Sequence, residues 1–272
     1  MECTVYLECL KRTAERIGLK KAVIGLSGGK DSNIVAKLMV DLLGPDNVVG
    51  VMIPNGAPND DLAIELSQML GINTLSCDIT KAFTSMMESL NVALAKPDVG
   101  NGNYVAKSVS EDSRINIAPR LRMTVLYAIA QSLGNGWRVI GTTNKSEAYI
   151  GWLTKNGDGA VDFEPIMNLT VRDLHELGEY IGLPTKFVKR VPVDGLTPKT
   201  DEERFGFTYD QLDDYIESTE ATFHGTCGDH EVDAKIEKMY HYSEHKRIPI
   251  PEVEYGCAKW KSRPYNPTDF AD

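Results

Sequence analysis

The stretch Ala22-Val23-Ile24-Gly25-Leu26-Ser27-Gly28-Gly29-Lys30-Asp31-Ser32 decides the fold. Its first five residues are a short apolar run rich in β-branched side chains, which predicts a buried strand of a parallel sheet. A Gly-rich turn follows. Beyond it Ile34, Val35, Leu38, Met39 and Leu42 recur at helical spacing until Gly44-Pro45 stops them. A turn from strand into helix exposes backbone N–H groups at a helix N-terminus, a ready site for phosphate. Ser27 and Ser32 add hydroxyls, Lys30 a charge, and Asp31 a carboxylate of the kind that holds Mg²⁺.

The pattern repeats on either side. A helix is expected over residues 3–16, further strands over 48–53, 72–79 and 138–141, and helices ending near Leu70, over 117–133 and over 230–242. Thr170 with Asp173 three residues on reads as a helix cap, with Leu174, Leu177 and Ile181 facing inward. Residues 96–116 and 192–206 read as long polar loops, a common form of lid. Strands alternating with helices predict an α/β fold: a doubly wound, mainly parallel sheet with helices on both faces. No linker interrupts the pattern, so residues 1–272 are expected to form a single domain.

Spacing separates three motifs at the turn. The P-loop pattern GxxxxGK[ST] fails, because position 24 is Ile and Lys30 precedes Asp31. The dinucleotide pattern GxGxxG fails at Ser27. The nucleophile elbow GxSxG matches as Gly25-Leu26-Ser27-Gly28-Gly29, and would need an acid and a base such as Asp162 and His245. The phosphate turn and the elbow therefore both stand at this point.

Composition narrows the setting. The chain has 272 residues with a net charge of −10, which disfavours a nucleic-acid substrate. It has no apolar run of about 18 residues and no secretory signal at its N-terminus. Five cysteines, at positions 3, 9, 77, 227 and 257, form no CxxC pair, which fits reduced thiols in the cytoplasm. His224, Cys227 and His230 match no standard zinc spacing.

The extension Ser27-Gly28-Gly29-Lys30-Asp31-Ser32 resembles the PP-loop of the N-type ATP pyrophosphatases, an adenine nucleotide alpha hydrolase-like family. Further islands are similar to NAD synthetases that use ammonia: Asn116 and Arg120 before Arg122-Met123, Gly141-Thr142-Thr143-Asn144-Lys145-Ser146-Glu147, Thr154-Lys155-Asn156-Gly157-Asp158-Gly159 with Asp162, Thr200-Asp201-Glu202 with Gly206, and Glu244-His245-Lys246-Arg247. The resemblance covers residues 22 to about 250.

It implies specific roles. Gly25, Leu26, Ser27, Gly28, Gly29, Lys30, Asp31, Ser32, Thr142 and Thr200 would bind ATP. Asp31 and Glu147 would hold Mg²⁺. Arg120, Lys155, Asp162, His245 and Lys246 would bind deamido-NAD, whose phosphates and carboxylate suit cations in an acidic protein. The implied enzyme is a ligase that adenylates the nicotinate carboxylate and amidates it with ammonia, giving NAD, AMP and pyrophosphate, and it works as a homodimer. Glutamine-using relatives carry an amidase domain of on the order of 200 residues; only 21 residues precede Ala22 here, so free ammonia is the expected nitrogen source.

The chain departs from the family at Val171, commonly a lysine. It departs again at Val193-Asp194-Gly195-Leu196, and in the loop Pro54 to Asp61, which is shorter and lacks a glutamine. Two other readings use the same turn: a PP-loop enzyme adenylating a nucleobase or tRNA, and a non-catalytic nucleotide sensor.

Overall fold

The computed structural model describes residues 2–95, 108–189 and 200–249. The helix α1 (Cys3–Arg16) leads into β1 (Lys21–Gly25), α2 (Lys30–Leu43), β2 (Val48–Met52), α3 (Asp61–Leu70), β3 (Asn73–Ser76) and α4 (Thr80–Ala95). After residues 96–107 come α5 (Glu111–Ser132), β4 (Trp137–Ile140), α6 (Lys145–Ile150), α7 (Val171–Tyr180) and α8 (Thr185–Val188). The last three helices are α9 (Asp201–Phe205), α10 (Tyr209–Thr222) and α11 (His230–Tyr242).

Among the described residues the strands make one parallel sheet in the order β3-β2-β1-β4. Side-chain alternation divides its two faces. Ala22, Ile24, Val48 and Met52 join the core built with α1, α2, α3, α7 and α8. Val23, Val49, Val51 and Val139 turn the other way and pack with Met123, Leu126 and Ala130 of α5. Sheet strands buried on both faces account for the continuous apolar runs of the sequence. The chain winds from β1 out to β3 and then returns to β4, so the strand order switches between β1 and β4. A crevice opens at the strands' C-terminal ends at such a point.

A separate apolar cluster sits beyond this crevice. Ile150, Val171, Phe205, Tyr209, Leu212, Ile216 and Ile236 pack α6, α7, α9, α10 and α11 together. A buried polar clamp ties it to the main body: the Ser146 hydroxyl donates to Asp213 Oδ1 at 2.5 Å, and Arg172 N–H donates to Asp213 Oδ2 at 2.9 Å. Asp213 is completely buried, so both bonds are needed to offset its desolvation.

Several expected bounds shift. The helix expected from residue 117 begins at Glu111, capped by Ser110, and runs through Pro119. The loop expected over 192–206 contains α9, capped by Thr200; residues 190–199, including Val193-Asp194-Gly195-Leu196, lie outside the described residues. The strand expected over 72–79 is only Asn73–Ser76.

Candidate active site

The Gly-rich turn joins the end of β1 to the start of α2. Gly28 takes φ +76°, a left-handed conformation that glycine adopts without cost. The Ser27 hydroxyl accepts from Gly29 N–H at 3.2 Å and lies 3.2 Å from the Ser32 hydroxyl. The Ser32 hydroxyl donates to the Gly29 carbonyl at 3.0 Å. Gly29 is the N-cap of α2 and supplies no side-chain cap, so the first-turn N–H groups are left to a ligand.

The turn faces a cavity of about 650 Å³ at the switch point, a size that suits a nucleotide-sized ligand. Gly25, Leu26, Ser27, Gly29, Lys30, Asp31 and Ser32 form one wall. Gly141, Thr142, Thr143 and Glu147, from the end of the neighbouring strand β4 and from α6, line it as well. Asp201 and Arg204 of α9 and Trp152 close one side.

Asp31 and Glu147, more than a hundred residues apart in sequence, meet through Asn144. The Asn144 side-chain amide donates to Asp31 Oδ1 at 3.2 Å. Asn144 N–H donates to Glu147 Oε2 at 3.1 Å, while Glu147 N–H donates back to Asn144 Oδ1 at 2.9 Å. This capping box fixes the start of α6. Burial, reinforced by the nearby Asp31 charge, raises the Glu147 carboxyl well above its ordinary range, with Lys30 pulling the other way. Two carboxylates linked through one amide on the cavity wall are hard oxygen donors of the kind that suits Mg²⁺.

Lys30 is 3% exposed, and its ammonium lies 2.9 Å from Asp31 Oδ2. Burial disfavours that charge, but Asp31 and Glu147 outweigh the burial and raise the lysine above its ordinary value. The ammonium also lies 5.5 Å from the centre of the Tyr209 ring, and the Tyr209 hydroxyl donates to Asp201 Oδ2 at 3.2 Å.

Behind the β4 wall lies Glu164. A Cβ on Gly141 would fall 2.2 Å from its carboxyl carbon, so the carboxyl packs directly on the glycine and would have to shift for any larger residue. Glu164 Oε2 accepts from Thr143 N–H at 3.3 Å, and Oε1 is buried without a partner among the described residues. Burial pushes this carboxyl up to about 8.

The residues expected on the substrate side divide into two groups. Lys246 lines the cavity, but its ammonium donates to the carbonyls of Gly151 at 2.7 Å and Leu153 at 2.6 Å, fixing the loop after α6. Arg120, Lys155 and His245 form a relay outside the cavity wall. The Arg120 guanidinium donates to the Lys155 carbonyl at 3.3 Å, and the Lys155 ammonium donates to the His245 carbonyl at 2.7 Å. Arg120 and Tyr127 also line a second hollow of about 440 Å³. Asp162 accepts from Val139 N–H at 2.8 Å and from the Tyr127 hydroxyl at 3.3 Å.

These positions bear on three expectations. The Thr200 hydroxyl accepts from Glu203 N–H at 3.2 Å as the cap of α9, and its neighbours Asp201 and Arg204 are the residues on the cavity. The nucleophile elbow loses its partners: Ser27 bonds within its own turn, Asp162 is bonded to Val139 and Tyr127, and His245 sits beside Lys155. Val171 is buried in the apolar cluster, while Arg172 turns outward to Asp214 at 2.8 Å and Glu217 at 3.0 Å.

Sequence reading gave no separate role to Asn144, Asp201, Tyr209, Trp152 or Glu164. Asp201 could have been found from Thr200-x-x-Glu203, a capping-box spacing that marks a helix where a loop was expected.

The chain is similar to known proteins along most of its length. The family model described as NAD synthase matches residues 3–250. The chain is 33% identical over 257 residues to the NH(3)-dependent NAD(+) synthetase of Mesoplasma florum, covering 91% of this chain and 95% of the relative. It is 34% identical to that of Pyrococcus furiosus, covering 92% and 94%. Among solved structures, NMN synthetase from Francisella tularensis superposes with a TM-score of 0.78 at 28% identity, covering 94% of this chain and all of that one. An NH3-dependent NAD synthetase from Campylobacter jejuni, 23% identical and covering 93% and 97%, shares the fold with a TM-score of 0.70. With its Gly-rich turn and paired carboxylates at the β1–β4 switch point, this chain belongs to the NAD synthase family.

Proposed function

We infer that this chain is an ammonia-dependent NAD synthetase, a ligase that couples cleavage of ATP to AMP and pyrophosphate with amidation of deamido-NAD. The observation that carries the reading is the junction of Asp31, at the end of the Gly-rich turn, with Glu147 through Asn144.

ATP would lie with its phosphates against the N–H groups of the first turn of α2, with the Ser27 and Ser32 hydroxyls alongside. Asp31 and Glu147 would hold Mg²⁺, which when bound offsets charge on the pyrophosphate as it leaves. The nicotinate carboxylate attacks the α-phosphorus, and the bond to pyrophosphate breaks. Ammonia then attacks the acyl adenylate and AMP departs. No protein nucleophile is needed, so the chain's part is to position reactants and exclude water.

Deamido-NAD would enter over Trp152 and Arg204, whose guanidinium lies 4.4 Å from the indole centre. The Arg120–Lys155–His245 relay and Asp162 are assigned to the more distant half of the substrate. A homodimer in the cytoplasm completes the proposal; among the described residues no helix is long and apolar enough to cross a membrane.

The likeness to the Francisella enzyme, named for NMN synthesis, favours a second reading, in which nicotinate mononucleotide is the acceptor. One assay addresses both. The protein is supplied with ATP, Mg²⁺, ammonium and either acceptor, and amidated product is measured against AMP. Equal NAD and AMP, with preference for deamido-NAD, is the expected result. Preference for the mononucleotide would establish the second reading, and AMP formation with neither acceptor would refute both.

A further inference from the structure

We propose that the Lys30 ammonium is a built-in counter-cation for Asp31 and Glu147, occupying the place of a divalent ion until nucleotide enters and then releasing Asp31. The proposal rests on the reading that Asp31 and Glu147 are the metal-binding carboxylates.

The position of Lys30 is unfavourable for a cation on general grounds. It is the first residue of α2, at the positive end of the helix dipole. A lysine there would ordinarily extend its flexible stem and keep its charge in water. Lys30 instead has only 3% exposure and lines the cavity. A buried charge is held in place only where partners compensate its desolvation.

The partners are specific. The ammonium is 2.9 Å from Asp31 Oδ2, and Asp31 Oδ1 is already taken by the Asn144 amide. Both oxygens of the carboxylate are therefore engaged. On the far side, the Tyr209 ring supplies a cation–π contact at 5.5 Å. Tyr209 is itself anchored to Asp201 through its hydroxyl. Lys30 thus carries a positive charge paired with Asp31, and the charges of Glu147 and Asp201 favour it as well.

Two consequences follow. A divalent ion approaching without nucleotide meets an ammonium on Asp31, and the two cations repel at close range. The anionic phosphates of ATP supply an alternative partner for that ammonium. Metal then arrives with ATP instead of before it, and the freed lysine lies against the phosphates.

Mn²⁺ binding to the full chain, followed by paramagnetic resonance and by thermal melting, tests this in the wild type, Lys30→Met, Lys30→Gln and Glu147→Gln, with and without a non-hydrolysable ATP analogue. Without nucleotide, the neutral Lys30 variants are expected to bind Mn²⁺ roughly tenfold more tightly than the wild type. Mn²⁺ should also raise their melting temperature where it leaves the wild type unmoved. Adding Glu147→Gln to Lys30→Met should abolish the gain. If Lys30→Met does not fold, Lys30→Gln, which can still bond Asp31, carries the same expectation. Nucleotide-free Mn²⁺ affinity unchanged in the folded neutral variants would overturn the role of Lys30 alone. Equal Mn²⁺ binding by wild type and Glu147→Gln with the ATP analogue present would overturn the metal assignment beneath it.

Discussion

Asn144 donates its side-chain amide to Asp31 Oδ1 at 3.2 Å, and so fixes a carboxylate 113 positions away in the chain. The same side chain caps α6, so stability and positioning share one residue. They can be separated. Asn144→Ala should cost about 1 kcal/mol for the cap and lower turnover roughly a hundredfold through misplaced carboxylates. Asn144→Ser restores a capping oxygen but does not reach Asp31. Its melting temperature should recover while NAD formation does not, and recovery of both would show that the Asp31 contact is dispensable.

The carboxylates themselves carry a stronger expectation. Asp31→Asn and Glu147→Gln should each reduce AMP formation by about a thousandfold or more, the scale of losing a preorganised charge at the reacting phosphate. Far-ultraviolet circular dichroism should show both variants folded. Wild-type AMP formation in either would remove the metal assignment.

Glu164 predicts a pH signature in stability. Its folded-state pKa is raised from 4.5 to about 8 by burial, so the folded protein holds this proton more tightly than the unfolded chain. The contribution is complete below the unfolded value and is lost as pH rises through about 8. Glu164→Gln mimics the protonated acid at every pH. Relative to that variant, the wild type should lose on the order of 2 kcal/mol between pH 4 and pH 9, a figure discounted for partial exposure. Denaturant curves that stay parallel across this range would contradict the assignment.

The clamp at Asp213 concerns the fold rather than the chemistry. Asp213→Ala leaves the Ser146 hydroxyl and Arg172 N–H without their acceptor inside the protein. The expected cost is about 3 kcal/mol, and Asp213→Asn, which keeps an acceptor, should cost less. A change below about 0.5 kcal/mol in urea unfolding would mean that the apolar cluster alone fixes α10.

The parts legible in the sequence are those written locally. The apolar run of β1 and its Gly-rich turn needed only period and turn chemistry, and the Thr170–Asp173 cap of α7 needed only a three-residue spacing. The helix from His230 to Tyr242 has the bounds its pattern predicts. The first two turns of α5, Glu111 to Asn116, are mostly polar and continue a polar stretch, so composition alone reads them as loop. Helix α10 is rich in acids, and its apolar residues Leu212, Tyr215 and Ile216 make sense only against the aromatic cluster they complete.

The site is less legible because it is assembled from distant segments. Family islands pointed to Asp31 and Glu147, but nothing in either island reveals that Asn144 joins them or that Lys30 folds inward beneath Tyr209. Lys246, expected to contact substrate, and its neighbour Arg247 are both bonded within the protein. The Lys246 ammonium is bonded to two loop carbonyls, and the Arg247 guanidinium donates to the carbonyl of Tyr149 at 2.9 Å at the end of α6.

The proposed reaction joins the nicotinate carboxylate to the α-phosphorus of ATP. Deamido-NAD labelled with ¹⁸O in that carboxylate, turned over with ATP, Mg²⁺ and ammonium, tests it directly by mass spectrometry of the products. One labelled oxygen should appear in AMP for each NAD formed, because the attacking oxygen leaves with the adenylate. AMP free of label, or label recovered in inorganic phosphate, would contradict adenylation.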